Sequence, residues 1–219
     1  MPNRQKSEPG RRTRQRILDT TLALYNEHGE PQVSTSLIAA ELGISAGNLH
    51  YHFRRKDELS AALLDRFVAE FDALLPPAGW RADHVEDAWL LLHLLLETLW
   101  RYRFLFRDLS GIMARDRRAG QRLAGVFQRA VGAARGICLG LVERDIMTAT
   151  GAEIEALAAN IAVVSLYWLS FDLARHPRGD AAAKAMSRGA YQVLMLVAPY
   201  LQPDSREHLE RLATEYVGG

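Results

Sequence analysis

The sequence predicts an all-α fold built as two helical units, a small N-terminal one and a larger C-terminal bundle. Apolar residues recur at helical spacing along nearly the whole chain, and no run alternates convincingly with the period of two that marks a strand. Stopping residues cut this pattern into segments of helical length, most plainly at Gly29 and Pro31, at Gly43, and at Pro76-Pro77 with Gly79. A composition of 48% hydrophobic and 24% charged residues over 219 positions is that of an ordinary globular protein, with room for one large domain or two small ones.

Taken in order, residues 1–10 read as a basic, flexible leader. Arg12 to His28 forms the first helix, with Ile17, Thr21 and Leu24 on one stripe and Leu18, Leu22 and Tyr25 beside it. Ser34-Thr35-Ser36 then offers hydroxyl caps to a short helix whose Ile38 and Leu42 sit four apart and face inward. Gly43 comes next, where a helix C-terminus wants a residue able to take positive φ. Ser45 can cap a second short helix with Leu49 and Phe53 turned to the core, which leaves Ala46, Gly47, Asn48, His50, Tyr51 and His52 facing partly or wholly outward. Two capped helices joined by a glycine turn, residues 34–53, are a helix-turn-helix ready to enter a DNA groove. A longer helix, Lys56 to Leu75, carries Leu59, Leu63, Phe67, Phe71 and Leu74, and closes a first domain over residues 11–75.

Charge supports that reading. Residues 1–56 hold nine Lys/Arg against five Asp/Glu, a surplus of four, while the remainder holds 18 basic and 21 acidic residues. Arg4, Lys6, Arg11, Arg12, Arg14 and Arg16 lie close together with only Glu8 among them. Positive charge gathered around the groove-reading segment is the electrostatic footprint a polyanion requires.

The second domain, residues 80–219, reads as helices at about 84–102, 103–114, 116–147, 152–175, 182–200 and 204–217, with breaks at Gly111, Gly151, Pro177 to Gly179 and Pro203. The helix from His84 is apolar almost all round, which predicts a central position. Gly132, Gly136 and Gly140 stand four apart on one side of their helix. Each costs about 1 kcal/mol relative to Ala, so something, another helix before a ligand chain, is expected to approach closely there. Cys138, the single cysteine, lies among Ile137, Leu139 and Leu141 and reads as a small core residue. The longest stretch without a charge, Ala156 to Phe171, is shorter than the roughly 18–20 residues of a membrane span, and no apolar signal core opens the chain. A cytoplasmic protein without a membrane partner is expected.

The motif Ser34-Thr35, Ile38-Ala39, Leu42-Gly43-Ile44-Ser45, Gly47, Leu49, Tyr51, Phe53, Lys56 and Leu59 resembles, in fixed register, that of the TetR family of one-component transcription regulators. The resemblance covers residues 11 to about 71, and the length of the remaining chain fits such proteins' divergent ligand-binding and dimerisation domain. It implies a DNA-binding regulator, ordinarily a repressor, with phosphate roles for Thr35, Tyr51 and Lys56. Ser45 and His52 are additional candidates, Asn48 and His50 are the candidates for base edges, and Gly47 permits close approach. Where relatives often carry a short capping side chain before the lysine, this chain has Arg55. The stretches GEPQVST, GISAGNLHYHF, WLLLHLLLETLWRYRFLFRDLS and YQVLMLVAPYL further resemble TetR-type regulators associated with polyhydroxyalkanoate gene clusters, which implies an acyl-type effector.

One short helix reads only a few base pairs, so a homodimer on a palindromic duplex operator is expected. Ile161, Val164, Trp168, Tyr191, Leu194, Met195 and Ala198, on the helices Glu153–Arg175 and Ala182–Tyr200, are the candidate dimer surface. A small apolar effector, of fatty-acyl type, is expected among Trp89, His93, Glu97, Trp100, Phe104, Phe127, Tyr167 and Phe171, with Arg101, Arg103 and Arg107 available to an acidic head group. No cofactor, metal or catalytic residue is expected: the chain has no phosphate-cradling glycine loop, Gly-x-Ser-x-Gly elbow or helical His-Glu-x-x-His. His50 and His52, two apart on a helix, point about 200° apart and do not share one ion. A helical enzyme or an interaction protein without sequence-specific DNA binding is the alternative; it leaves the outward Asn48, His50 and Tyr51 unexplained.

Overall fold

The computed structural model describes residues 8–77, 79–107, 109–176 and 182–217. Among them no β-strand forms, and an isolated bridge pairs Met147 with Leu201. The all-α expectation is borne out. The chain divides into two compact units, residues 1–67 and 68–219.

In the first unit, α1 (Glu8–His28) starts four residues before the expected Arg12. Pro9 falls in its first turn, where a missing N–H leaves no bond unmade. Residues 8–10 of the expected flexible leader are therefore helical, and residues 1–7 lie outside the described ones. The predicted stripe of Ile17, Leu18, Thr21, Leu22, Leu24 and Tyr25 is buried, and the Thr21 hydroxyl donates to the Ile17 carbonyl at 2.7 Å. A short 3-10 turn, Glu30–Gln32, leads into α2 (Thr35–Leu42) and α3 (Ala46–His52). Ser34 caps α2 by accepting from the Leu37 amide, and Ser45 caps α3 by accepting from the Asn48 amide. Between them Gly43 takes φ 64°, ψ 34°, a left-handed turn that a Cβ would strain. Ile38, Leu49 and Phe53 seal the inner faces, each worth about 1.5–3 kcal/mol of apolar burial.

The unit boundary falls inside α4 (Lys56–Leu74), earlier than the Pro76-Pro77 segment that the sequence marks. Side chains explain it. Leu59, Leu63 and Phe67 complete the first core, but Glu70 takes hydrogen bonds from Arg101 at 2.9 Å and from the Tyr102 hydroxyl at 2.7 Å, and Asp72 pairs with Arg129 at 2.6 Å. The last turns of α4 thus belong to the second unit.

That unit contains α5 (Val85–Arg101), α6 (Arg103–Arg107), α7 (Leu109–Arg115), α8 (Arg117–Glu143), α9 (Gly151–Arg175), α10 (Ala182–Val197) and α11 (Pro203–Val217). Gly111 sits inside α7 rather than breaking a helix, and the expected break at 177–179 lies outside the described residues. Gly151 opens α9 behind a Thr150–Glu153 capping box, whose backbone and hydroxyl bonds hold the Glu153 carboxyl below its ordinary range. α8 ends four residues early, at Glu143, because the chain turns at Asp145, φ 57°, and Ile146 and Met147 donate back to the Leu141 carbonyl.

The central helix is α9, against which α8, α10, α6 and α5 all pack. α5 is not central: Leu90 is 51% exposed on it. By length and composition α9 could cross a membrane, yet it is a core helix that buries Ser165 and Asp172, the latter held bidentately by Arg188 at 2.9 and 2.8 Å. The glycine side of α8 meets a loop, not a helix: a Cβ on Gly136 would come within 2.9 Å of the Trp80 carbonyl, and one on Gly140 would collide with the backbone of Ala82. Gly132 has nothing within 4 Å and lines an open groove of about 650 Å³.

Candidate nucleic-acid interface

α3 presents one face to solvent. Leu49 is fully buried, while Ser45, Ala46, Gly47, Asn48 and His50 are exposed, Tyr51 is 85% exposed and His52 half-buried. Two neighbours fix this orientation. The Arg14 guanidinium lies 4.0 Å over the Phe53 ring and donates to the His52 carbonyl at 3.4 Å, engaging a carbonyl in the last turn of α3. The His50 Nδ1 sits 3.2 Å from the Arg54 carbonyl. A carbonyl only accepts, so Nδ1 carries the proton and, in the neutral ring, Nε2 is an acceptor. Tyr51 and His52 rings meet edge to face at 5.2 Å.

Of the expected phosphate ligands, Thr35 stands at the first position of α2 and is not its cap, since Ser34 makes the capping bond. Ser45 accepts from Asn48, which leaves its hydroxyl proton able to donate outward. Lys56 requires a correction. Its ammonium donates to the Glu30 carbonyl at 2.5 Å and lies 3.5 Å from the Glu30 carboxylate and 5.8 Å over the Tyr25 ring. It is turned toward the fold, linking the 3-10 turn to the start of α4 through the backbone and carboxylate of Glu30. Arg54 and Arg55, both exposed, are the cations left facing outward beside α3. Arg55 does not blunt the start of α4, because the Glu58 carboxylate accepts from the Arg54 amide at 3.0 Å. Beneath Lys56, burial pushes the Tyr25 phenol up to about 12, partly offset by its bond with Ser60 and reinforced by Glu30.

The eight effector candidates do not converge on one pocket. Trp89 and His93 stack at 5.7 Å and His93 pairs with Glu97 at 3.4 Å, both members of that pair partly open to solvent. Phe104 is sealed in the core. Phe127 stacks on Tyr167 at 5.6 Å, and Phe171 is 52% exposed under Arg175. Trp100 lines a cavity of about 180 Å³ with Arg103, Arg107 and Asp172. A separate apolar void of about 70 Å³ lies among Phe71, Leu92, Leu95, Ala134, Ser165 and Val193, and includes none of the eight. Sequence reasoning followed aromatics and passed over the alanines of α8, where Ala130, Ala133, Ala134 and Ile137 recur at helical spacing on the void's wall. The Ser165 hydroxyl on that wall is buried without a hydrogen-bond partner.

Three dimer candidates are core residues of the single chain. Trp168 donates from Nε1 to the Ala185 carbonyl at 2.7 Å where α10 packs onto α9, and Leu194 of α10 and Ala198 just after it are buried. Ile161 lines the apolar void; Val164, Tyr191 and Met195 are half-buried. The exposed apolar side chains of α9 are instead Val163 (55%), Tyr167 and Phe171, at i, i+4 and i+8.

Two family models match in succession, bacterial regulatory proteins of the tetR family over residues 17–63 and TetR, bacterial transcriptional repressor, over residues 66–209. The chain belongs to the TetR family. A TetR-family transcriptional regulator from Marinobacter aquaeolei VT8, known from its crystal structure, is 32% identical, with a TM-score of 0.83 over 93% of this chain and 98% of that one. An HTH-type transcriptional regulator of Staphylococcus aureus is 37% identical over 62 residues, which are 26% of this chain and 34% of that protein, so the match spans about a third of the curated relative. SmeT, the repressor of the Stenotrophomonas maltophilia multidrug efflux pump SmeDEF, solved in complex with triclosan, shares the TetR fold at 21% identity, a TM-score of 0.60, and 89% and 94% coverage. The two models divide the chain much as its fold does, the first over the helix-turn-helix unit and the second over the larger bundle.

Proposed function

We propose that this TetR-family chain is a repressor that binds a palindromic duplex operator as a homodimer and releases it when a small apolar, acyl-type effector occupies the second unit. The carrying observation is the exposed face of α3, where Asn48, His50 and Tyr51 stand outward of solvent-excluded Leu49. Asn48 supplies an amide that pairs bidentately with adenine, and the His50 Nε2 acceptor suits the amino groups of adenine or cytosine in the major groove. Gly47 brings the backbone close. Thr35, Ser45, Tyr51 and His52 hold phosphates, and Arg54 and Arg55 take the electrostatic part that the motif alone assigns to Lys56.

Two recognition helices are needed for useful specificity, and the Val163, Tyr167 and Phe171 stripe supplies an apolar face for a second copy. The effector reading rests on the void beside Ser165. Its walls are apolar, and the stranded hydroxyl calls for one polar group on the occupant. At about 70 Å³ it is too small for an acyl chain as it stands. Binding must therefore spread the helices around it, and that differential fit is what lets a ligand bias DNA affinity.

Selection of duplexes from a random pool, followed by anisotropy titration at fixed salt, tests the reading. A repressor prefers one palindrome over random duplex by on the order of a thousandfold or more, and an acyl panel that raises the melting temperature also weakens that binding. Sequence-blind association abolished by salt refutes operator recognition.

A further inference from the structure

The cavity of about 180 Å³ beside Trp100 is unlike the apolar void. Its walls are Trp100 at the end of α5, Arg103 and Arg107 of α6, Leu169, Asp172 and Leu173 of α9, His176 after it, and Ala185 of α10. We propose that this cavity seats the carboxylate of a small amphipathic molecule, with Arg103 as its principal ligand. The inference rests on the reading of the second unit as a small-molecule sensor.

Arg103 is half-buried, yet its contacts are the Trp100 carbonyl at 3.3 Å and the Trp100 ring at 4.9 Å, with no carboxylate paired to it among the described residues. A guanidinium withdrawn from water is stable when an anion meets its fork. Asp172, the carboxylate on the same wall, is already engaged: Arg188 grips both its oxygens and the His176 Nδ1 lies 3.3 Å away. Burial first and the neighbouring Arg107 charge second make Arg103 hold its proton less tightly than an ordinary arginine. An anion between the two guanidiniums removes both penalties at once.

The rest of the wall selects the ligand's body. Leu169, Leu173, Ala185 and the Trp100 ring are apolar, which suits a hydrocarbon group better than a bare ion. At about 180 Å³ the cavity admits a head group with a short hydrocarbon segment, so the seated part is small. Along α9, Leu169 lies one helical turn of about 5.4 Å beyond Ser165, and α5 and α10 also wall both spaces.

The test is calorimetric titration and thermal shift of the full chain with octanoate, 1-octanol and inorganic phosphate, on the wild type, Arg103→Gln and Arg103→Lys. Octanoate is expected to bind the wild type and raise its melting temperature, with 1-octanol and phosphate each at least tenfold weaker. Arg103→Gln is expected to lose about tenfold in octanoate affinity and Arg103→Lys several-fold, since lysine keeps the charge but not the fork. Equal affinity of octanoate for wild type and variants overturns the seat, as does 1-octanol matching octanoate. Phosphate matching octanoate overturns the amphipathic assignment. Should Arg103→Gln fail to fold, the octanoate-to-octanol ratio on the wild type still decides. Operator binding, measured separately without ligand, distinguishes failure of the seat from failure of the regulator reading.

Discussion

Leu49 and Tyr51 stand two positions apart on α3, one wholly enclosed and the other 85% exposed, and the contrast separates folding from recognition. Asn48→Ala and Tyr51→Ala should each lower operator affinity about tenfold while leaving the melting temperature unchanged; an equal fall in both measurements would assign these side chains to the core. Lys56→Ala should do the reverse, costing about 1 kcal/mol of stability through the lost Glu30 bond with little change in the salt slope of DNA binding. Denaturant titration beside the anisotropy curve checks the pair. The register of capped helices was legible because Ser34, Gly43 and Ser45 act locally. The destination of Lys56 was not, since its partner Glu30 lies 26 residues away and no local pattern announces it.

Titration obeys the same division between enclosed and open groups. Burial raises the Cys138 thiol from 9.0 to about 11, and the Tyr25 phenol from 10.0 to about 12. Both groups keep their protons longer in the folded chain than in the unfolded one. Their contribution is therefore intact below pH 9 and is lost as pH rises from about 9 toward 12. The melting temperature should fall progressively across that interval, and Cys138→Ala should flatten the part between 9 and 11. A pH-independent melting temperature there would contradict the enclosure of both groups.

Among the helices, α8 offers a graded comparison on one face. Gly140→Ala forces a Cβ into the Ala82 backbone and should destabilise by about 1–3 kcal/mol. Gly132→Ala meets open space and should stabilise by up to about 1 kcal/mol. Unfolding midpoints of the two variants should move in opposite directions, and a shared direction would mean the loop does not rest on α8. Helical periodicity exposed the glycine face but not its partner, because a loop leaves no periodic trace. It also misjudged α5: seven apolar residues among the eight from Trp89 to Leu96 look central, yet α9, with polar Ser165 and Asp172, holds the core.

For the molecule as a whole, the stripe of Val163, Tyr167 and Phe171 bears on oligomeric state. Tyr167→Glu should yield a folded monomer by light scattering, with operator affinity reduced at least a hundredfold because only one head engages at a time. A dimer that survives the substitution places the interface elsewhere. Periodicity could not separate enclosed Trp168 from open Tyr167, since apolar side chains toward a core and toward a partner obey the same spacing. The family and the head were readable because a short motif carries fixed contacts. The second unit was not, because its cavities depend on which helices neighbour one another.

α4 is continuous from Lys56 to Leu74 and anchored at Phe67 in one core and at Phe71 in the other. Its backbone hydrogen bonds form one uninterrupted ladder, so the amides between Phe67 and Phe71 are sheltered from both sides and should be among the slowest of that helix to exchange with deuterium.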